Sequence, residues 1–162
     1  RSSEALYQAC RFPHAPEIQL RILNEISPMT AKMVAKPFIG ASRPDWDNIK
    51  VSVMRWCLRA KLVQHPIAFG DLLLSTGSLP IVEKKSRRSD FWGARLNTYG
   101  NLIGPNVLGR LLMELRDEIC VKGGVPSELQ PLPLRDFLLL GRQIETVRPS
   151  QQLESAQLRR FI

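Results

Sequence analysis

The sequence has little of what builds disulfide frameworks or soft metal sites. Its three cysteines, Cys10, Cys57 and Cys120, are odd in number and widely spaced, and no Cys-x-x-Cys occurs. That usage points to a reducing, cytoplasmic compartment and away from a disulfide scaffold. The two histidines, His14 and His65, stand far apart, so no metal ligand set is expected. No apolar run reaches the roughly 18 residues a membrane-spanning helix needs, and no charged-then-apolar leader opens the chain. The phosphate loop G-x-x-x-x-G-K, the G-x-G-x-x-G fingerprint and the G-x-S-x-G elbow are all missing. Their absence removes the common route to ATP use, an ordinary dinucleotide dehydrogenase and a serine hydrolase. Acidic residues are in short supply, 15 against 23 lysines and arginines, which leaves a net charge of +8.

What is present fits one mainly helical domain. The chain has 162 residues, of which 44% are apolar, enough to bury a core. The charge favours an anionic partner (phosphates, a nucleotide or nucleic acid) over solubility alone. Helices are predicted over 4–12, 16–26, 28–36, 44–65, 66–76 and 106–119. Ser2 or Ser3 opens the first, Ser27-Pro28 forms a cap and first-turn pair, and Pro44 suits the start of the longest. Asp45 and Asp47 suit the positive end of that helix. "LPIVE" (79–83) is the best strand candidate, although it holds Pro80. Residues 125–148 read as a strap of loop and short turns, and "SQQLESAQLRRF" as a terminal helix. The expected class is α+β, a mainly helical single domain with a few short strands.

Several residues carry usable chemistry, each beside a plainer reading. Glu4 sits one turn before Tyr7 and Gln8, where an acid also simply suits a helix start. Lys32 and Lys61 read equally as solvated helix lysines. Glu83 ends the apolar run 79–83, and Asp90 precedes Phe91-Trp92-Gly93. Two such carboxylates suit acid–base work, or stabilisation of positive charge at a sugar carbon. Trp92 suits stacking on a base, and Gly93 lets a ligand approach the backbone. The plain alternative makes Trp92 a core residue and pairs Asp90 with Arg87 or Arg88.

Taken together, "SSEALYQACRFP", "SPMTAKMVAK", "RPDWDNIKVSVMRWCLRAKL", "LLLSTGSLPIVE", "DFWGA" and "GPNVLGRLLMELR" resemble the successive blocks of the NADAR family, in the family's order. The resemblance implies an α+β domain over residues 1–120, with 121–162 a carboxy-terminal strap and helix packed on it. It also implies an amino-terminal segment with early strands ahead of Glu4 that this chain, starting at Arg1, does not contain.

The implied chemistry is cleavage of an N-glycosidic bond without a cofactor. The implied substrate is ADP-ribose on guanine in nucleic acid, single-stranded DNA included, as in reversal of a toxin's modification. The alternatives are phosphorylated riboflavin-pathway intermediates and a non-catalytic ADP-ribose-binding module. Ala5 and Leu6, where the riboflavin branch more often reads His-Tyr, favour the first. Glu4, Lys32 and Asp90 become the expected catalytic residues, Lys32 as an amine that traps the opened sugar. Tyr7, Lys61, Glu83, Trp92, Gly93 and Asn106 become the expected ligand-binding residues. "RLNTYGNLI", which is not a tight glycine turn, is expected to bear on substrate choice, and Lys84, Lys85, Arg87 and Arg88 to steer a polyanion.

Overall fold

The computed structural model describes residues 2–84 and 91–149. The expected terminal helix and the expected catalytic Asp90, with Lys85, Arg87 and Arg88, lie outside the described residues. The chain groups into two compact units, Arg1–His65 with Pro126–Ile162, and Pro66–Val125. The class is α+β, mainly helical with a few short antiparallel strands.

In the first unit, α1 (Ser3–Ala9) starts where the Oγ of Ser2 accepts the Ala5 N–H at 3.1 Å, satisfying one free donor of the first turn. α2 (Pro16–Asn24) and α3 (Pro28–Ala35) both place proline in the first turn, where its missing N–H costs nothing. Ser27 caps α3 by accepting the Met29 N–H at 3.2 Å. Ala5, Ala9, Ala31 and Ala35 are small enough to let these helices close on Phe12, Ile18 and Ile22. Burying each of those three large side chains is worth roughly 1.5–3 kcal/mol. A 3₁₀ segment, Lys36–Ala41, leads toward α4 (Trp46–Gln64). That helix begins two residues later than Pro44 suggests. The Asp45 carboxylate is taken by the buried Arg43, at 2.6 and 3.0 Å, and does not cap the helix.

In the second unit, Pro66–Gly70 forms one π turn and α5 is short (Asp71–Ser75). The buried Arg116 donates to Thr76 Oγ1 and to the Leu79 carbonyl, both at 2.8 Å. The expected strand 79–83 is not one. Pro80 has no N–H to give, and the Glu83 N–H and Ile81 carbonyl are taken by the Asn106 side chain at 3.0 and 2.9 Å. What remains is an isolated bridge between Lys84 and Ala94. The strands lie further on, in a hairpin of β1 (Arg95–Leu96) and β2 (Leu102–Ile103), with Arg95 opposite Ile103 and Leu96 opposite Leu102. The Asn97 side chain shapes its turn by accepting the N–H groups of Tyr99 and Asn101 at 3.0 and 2.8 Å. α6 (Val107–Lys122) follows and buries Leu111, Leu115 and Ile119 on one stripe.

The strap returns to the first unit. Its hairpin, β3 (Leu138–Leu139) with β4 (Arg142–Gln143), turns through Leu140 at φ 52° and Gly141 at φ 76°. A left-handed leucine costs about 1–2 kcal/mol. Its N–H, donated to Gln19 Oε1 at 2.6 Å, helps offset that. The fully buried Gln19 also donates to the Ala9 and Leu138 carbonyls at 3.1 and 3.0 Å, so no polar atom of its amide is stranded. Trp56 donates to the Gln130 carbonyl at 2.8 Å and meets the buried Phe137 edge-on, ring centres 5.0 Å apart.

Candidate functional site

Glu4, Tyr7 and Gln8 on α1, and Arg11 two residues past its end, recur at helical spacing and form one stripe. Gln8 is buried and donates to Glu4 Oε1 at 2.9 Å, which fixes a half-buried carboxylate in one orientation. Tyr7 is buried against the indole of Trp46 from the start of α4, ring centres 5.0 Å apart and planes inclined by 48°. The Arg11 guanidinium lies 4.9 Å from the centre of the same indole, a cation–π contact. Burial pushes the Tyr7 phenol above its ordinary range, against the opposing pull of the Arg11 charge and hydrogen bond. The phenol is therefore neutral at physiological pH. Behind this stripe the buried thiols of Cys10 and Cys57 face one another. Burial first, then the hydrogen bond its S–H makes to Cys10, pushes the Cys57 thiol up and leaves it unreactive.

Two donors in this cluster have no partner among the described residues: the buried Nε of Arg11 and the buried Nε1 of Trp46. A buried donor left unpaired costs roughly 1–3 kcal/mol, so native structures keep few of them. The two lie on neighbouring side chains, beside an oriented carboxylate, a neutral phenol and a cation, and would match a ligand rich in acceptor oxygens. Phosphate and ribose oxygens are of that kind. Gln8, Arg11 and Trp46 were not picked out from sequence. The signal available was the spacing of Arg11 from Tyr7 and Glu4. Nothing in a sequence marks an indole N–H as unpaired.

Other expected residues are placed elsewhere. Lys32 is on α3 with an exposed side chain. Lys61 is on the last turns of α4, half-buried.

In the second unit, Glu83, Trp92, Gly93 and Asn106 are brought together by backbone bonds. The Glu83 carbonyl accepts from Ala94 N at 2.9 Å, the Gly93 carbonyl from Asn106 N at 3.1 Å, and the Trp92 carbonyl from Leu108 N at 2.9 Å. Trp92 is half-buried, edge-on to Phe91 with ring centres 5.2 Å apart. Gly93 is buried, and a Cβ at Gly104 would sit 2.8 Å from its carbonyl oxygen. Asn106, expected to turn an amide toward ribose, bonds with both its side-chain oxygen and nitrogen to the chain at 81–83. A groove of about 680 Å³ runs along α6 beside Arg110, Met113, Asp117 and Val121. None of the candidate site residues among the described residues lines it, and it mixes acidic with basic side chains.

A family model described as the NADAR domain matches residues 1–120. Among curated proteins, N-glycosidase YbiA of Escherichia coli is 34% identical over 121 residues, which cover 75% of this chain and 71% of that protein. A riboflavin biosynthesis protein of Vibrio vulnificus is 35% identical over 119 residues, covering 73% of this chain but only 30% of that protein. Among solved structures, the NMR structure of E. coli YbiA aligns with a TM-score of 0.60 at 34% identity, over 75% of this chain and 68% of that one.

Proposed function

The chain belongs to the NADAR domain family, and from that membership and the α1–α4 cluster we propose that it removes ADP-ribose from guanine bases in nucleic acid. The coarser activity, N-glycosidase hydrolysis, is the one its E. coli relative carries in its name. The observation that carries the finer reading is the pair of unpaired buried donors, Arg11 Nε and Trp46 Nε1, one of them on a cation. They suit the oxygens of a pyrophosphate-linked ribose, and the net charge of +8 suits a polyanionic substrate.

Hydrolysis breaks the bond from the sugar's anomeric carbon to the guanine nitrogen. The bonding pair leaves with nitrogen, which takes up a proton, and water adds to the carbon. Positive charge develops at that carbon on the way, and a fixed carboxylate stabilises it or takes the water's proton. Glu4, held by Gln8, fills that role. Tyr7 keeps its proton and remains a neutral donor. The resemblance of their blocks to the family's carries Glu83 and Trp92, in the second unit, as further substrate-binding residues. The exposed Lys32 has no step in this reading.

A second reading, hydrolysis of phosphorylated riboflavin-pathway intermediates, is favoured by the similarity to the Vibrio riboflavin biosynthesis protein. Parallel assays separate the two. The chain is given an oligonucleotide carrying ADP-ribosylated guanine and, separately, a ribosylaminopyrimidine phosphate. Release of ADP-ribose at the higher kcat/KM supports the first reading. Preferred cleavage of the pyrimidine phosphate overturns it.

A further inference from the structure

Asn106 stands in the left-handed conformation, φ 47° and ψ 43°, directly before α6, yet its side chain makes no cap hydrogen bond to that helix. An asparagine before a helix ordinarily folds its side chain onto the first turn. Here the amide reaches away from the helix. Its oxygen accepts the Glu83 N–H at 3.0 Å and its nitrogen donates to the Ile81 carbonyl at 2.9 Å. Its own N–H donates to the Gly93 carbonyl at 3.1 Å. One residue thus holds the segment carrying Glu83 with its side chain and the segment carrying Trp92 and Gly93 with its backbone. Ala94 N to the Glu83 carbonyl, at 2.9 Å, closes the loop between the two segments. Space is cleared for the contact as well: a Cβ on Gly109 would collide with the Ile81 carbonyl oxygen and with both amide atoms of Asn106.

We propose that Asn106 is a positioning residue for N-glycosidic hydrolysis, holding Glu83 and Trp92 in one relative placement without itself meeting the sugar. This rests on the reading above, in which Glu83 and Trp92 are substrate-binding residues. A left-handed position that ties two segments together also explains the residue type. Asparagine tolerates positive φ, and glycine, which tolerates it better, has no amide to offer.

The test uses the full chain with ADP-ribosylated-guanine oligonucleotide and ribosylaminopyrimidine phosphate as probes, and four variants: Asn106→Gly, Asn106→Asp, Glu83→Gln and the double Asn106→Gly/Glu83→Gln. Asn106→Gly keeps the backbone conformation and removes the amide. Its kcat is expected to fall by about 10-fold with KM changed by less than about 2-fold, because placement matters most at the transition state. Asn106→Asp keeps the acceptor for the Glu83 N–H and is expected to recover part of that loss. The double variant is expected to be no slower than Glu83→Gln alone, since the amide acts through that residue. If wild type is active and the two losses multiply, or Asn106→Gly keeps full kcat, the positioning role is wrong and the hydrolase reading stands. If wild type cleaves neither probe, the hydrolase reading fails and the positioning role fails with it.

Discussion

Gln8 Nε2 donates to Glu4 Oε1 at 2.9 Å, one helical turn apart on α1. Gln8 is itself buried, so its amide cannot swing into water, and the Glu4 carboxylate keeps one oxygen pinned while the other remains available. The bond is local, set by the helix repeat, and so survives changes elsewhere in the chain. Replacing Gln8 with alanine is expected to lower kcat about 5-fold, the equivalent of about 1 kcal/mol for one lost hydrogen bond, with KM little changed. Steady-state kinetics check this. An unchanged kcat would mean that Glu4 does not depend on Gln8 for its orientation.

Trp46 offers a cleaner separation of binding from folding. Trp46→Phe keeps an aromatic ring against Tyr7 and Arg11 but removes the unpaired Nε1–H. Removing a donor that has no partner relieves a cost in the free protein, so stability is expected to stay within about 1 kcal/mol of wild type. ADP-ribose affinity is expected to fall about 5- to 10-fold, the value of one ordinary hydrogen bond. Calorimetry with ADP-ribose and urea unfolding, run on both proteins, decide it. Equal affinity with equal stability would mean that the indole N–H never meets the ligand.

The Tyr7 phenol makes a pH-dependent statement. Its folded pKa is raised by burial, so the folded chain keeps a proton that the unfolded chain releases near the ordinary value of about 10. Stability from this group is complete below about pH 10 and declines as pH rises beyond it. Urea midpoints of wild type and Tyr7→Phe should therefore run parallel up to about pH 9.5, and wild type should decline more steeply above it. Parallel curves throughout would show that the phenol ionises as readily in the fold as outside it.

The helices were legible in the sequence because their signals are local. Ser2 and Ser27-Pro28 act as caps where they were expected to, and the stripe Leu111, Leu115, Ile119 faces inward as its period requires. The strands were not. Residues 79–83 have strand composition, yet their bonding groups are claimed by Asn106, more than 20 residues on. The hairpin at 95–103 is held by the Asn97 side chain within a five-residue connection, and that at 138–143 turns through a left-handed leucine that propensity argues against.

The candidate site was partly legible. Glu4 and Tyr7 stand out by spacing and by the family blocks. Gln8, Arg11 and Trp46 become visible only when α4 is laid beside α1 and two donors are found without partners. Asn106 reads as a ligand group in the sequence, and its side-chain bonds to the chain at 81–83 are seen only in the structure.

The most direct measurement is turnover of an ADP-ribosylated-guanine oligonucleotide by Glu4→Gln beside wild type, with circular dichroism and thermal unfolding run on both to establish that the variant is folded. The side chain keeps its shape and loses its charge. A folded variant slower by about 10²–10³-fold, the usual share of a positioned acid or base, is the expected result. A folded variant with full turnover would contradict the account, because no carboxylate at Glu4 would then be needed where positive charge develops on the sugar.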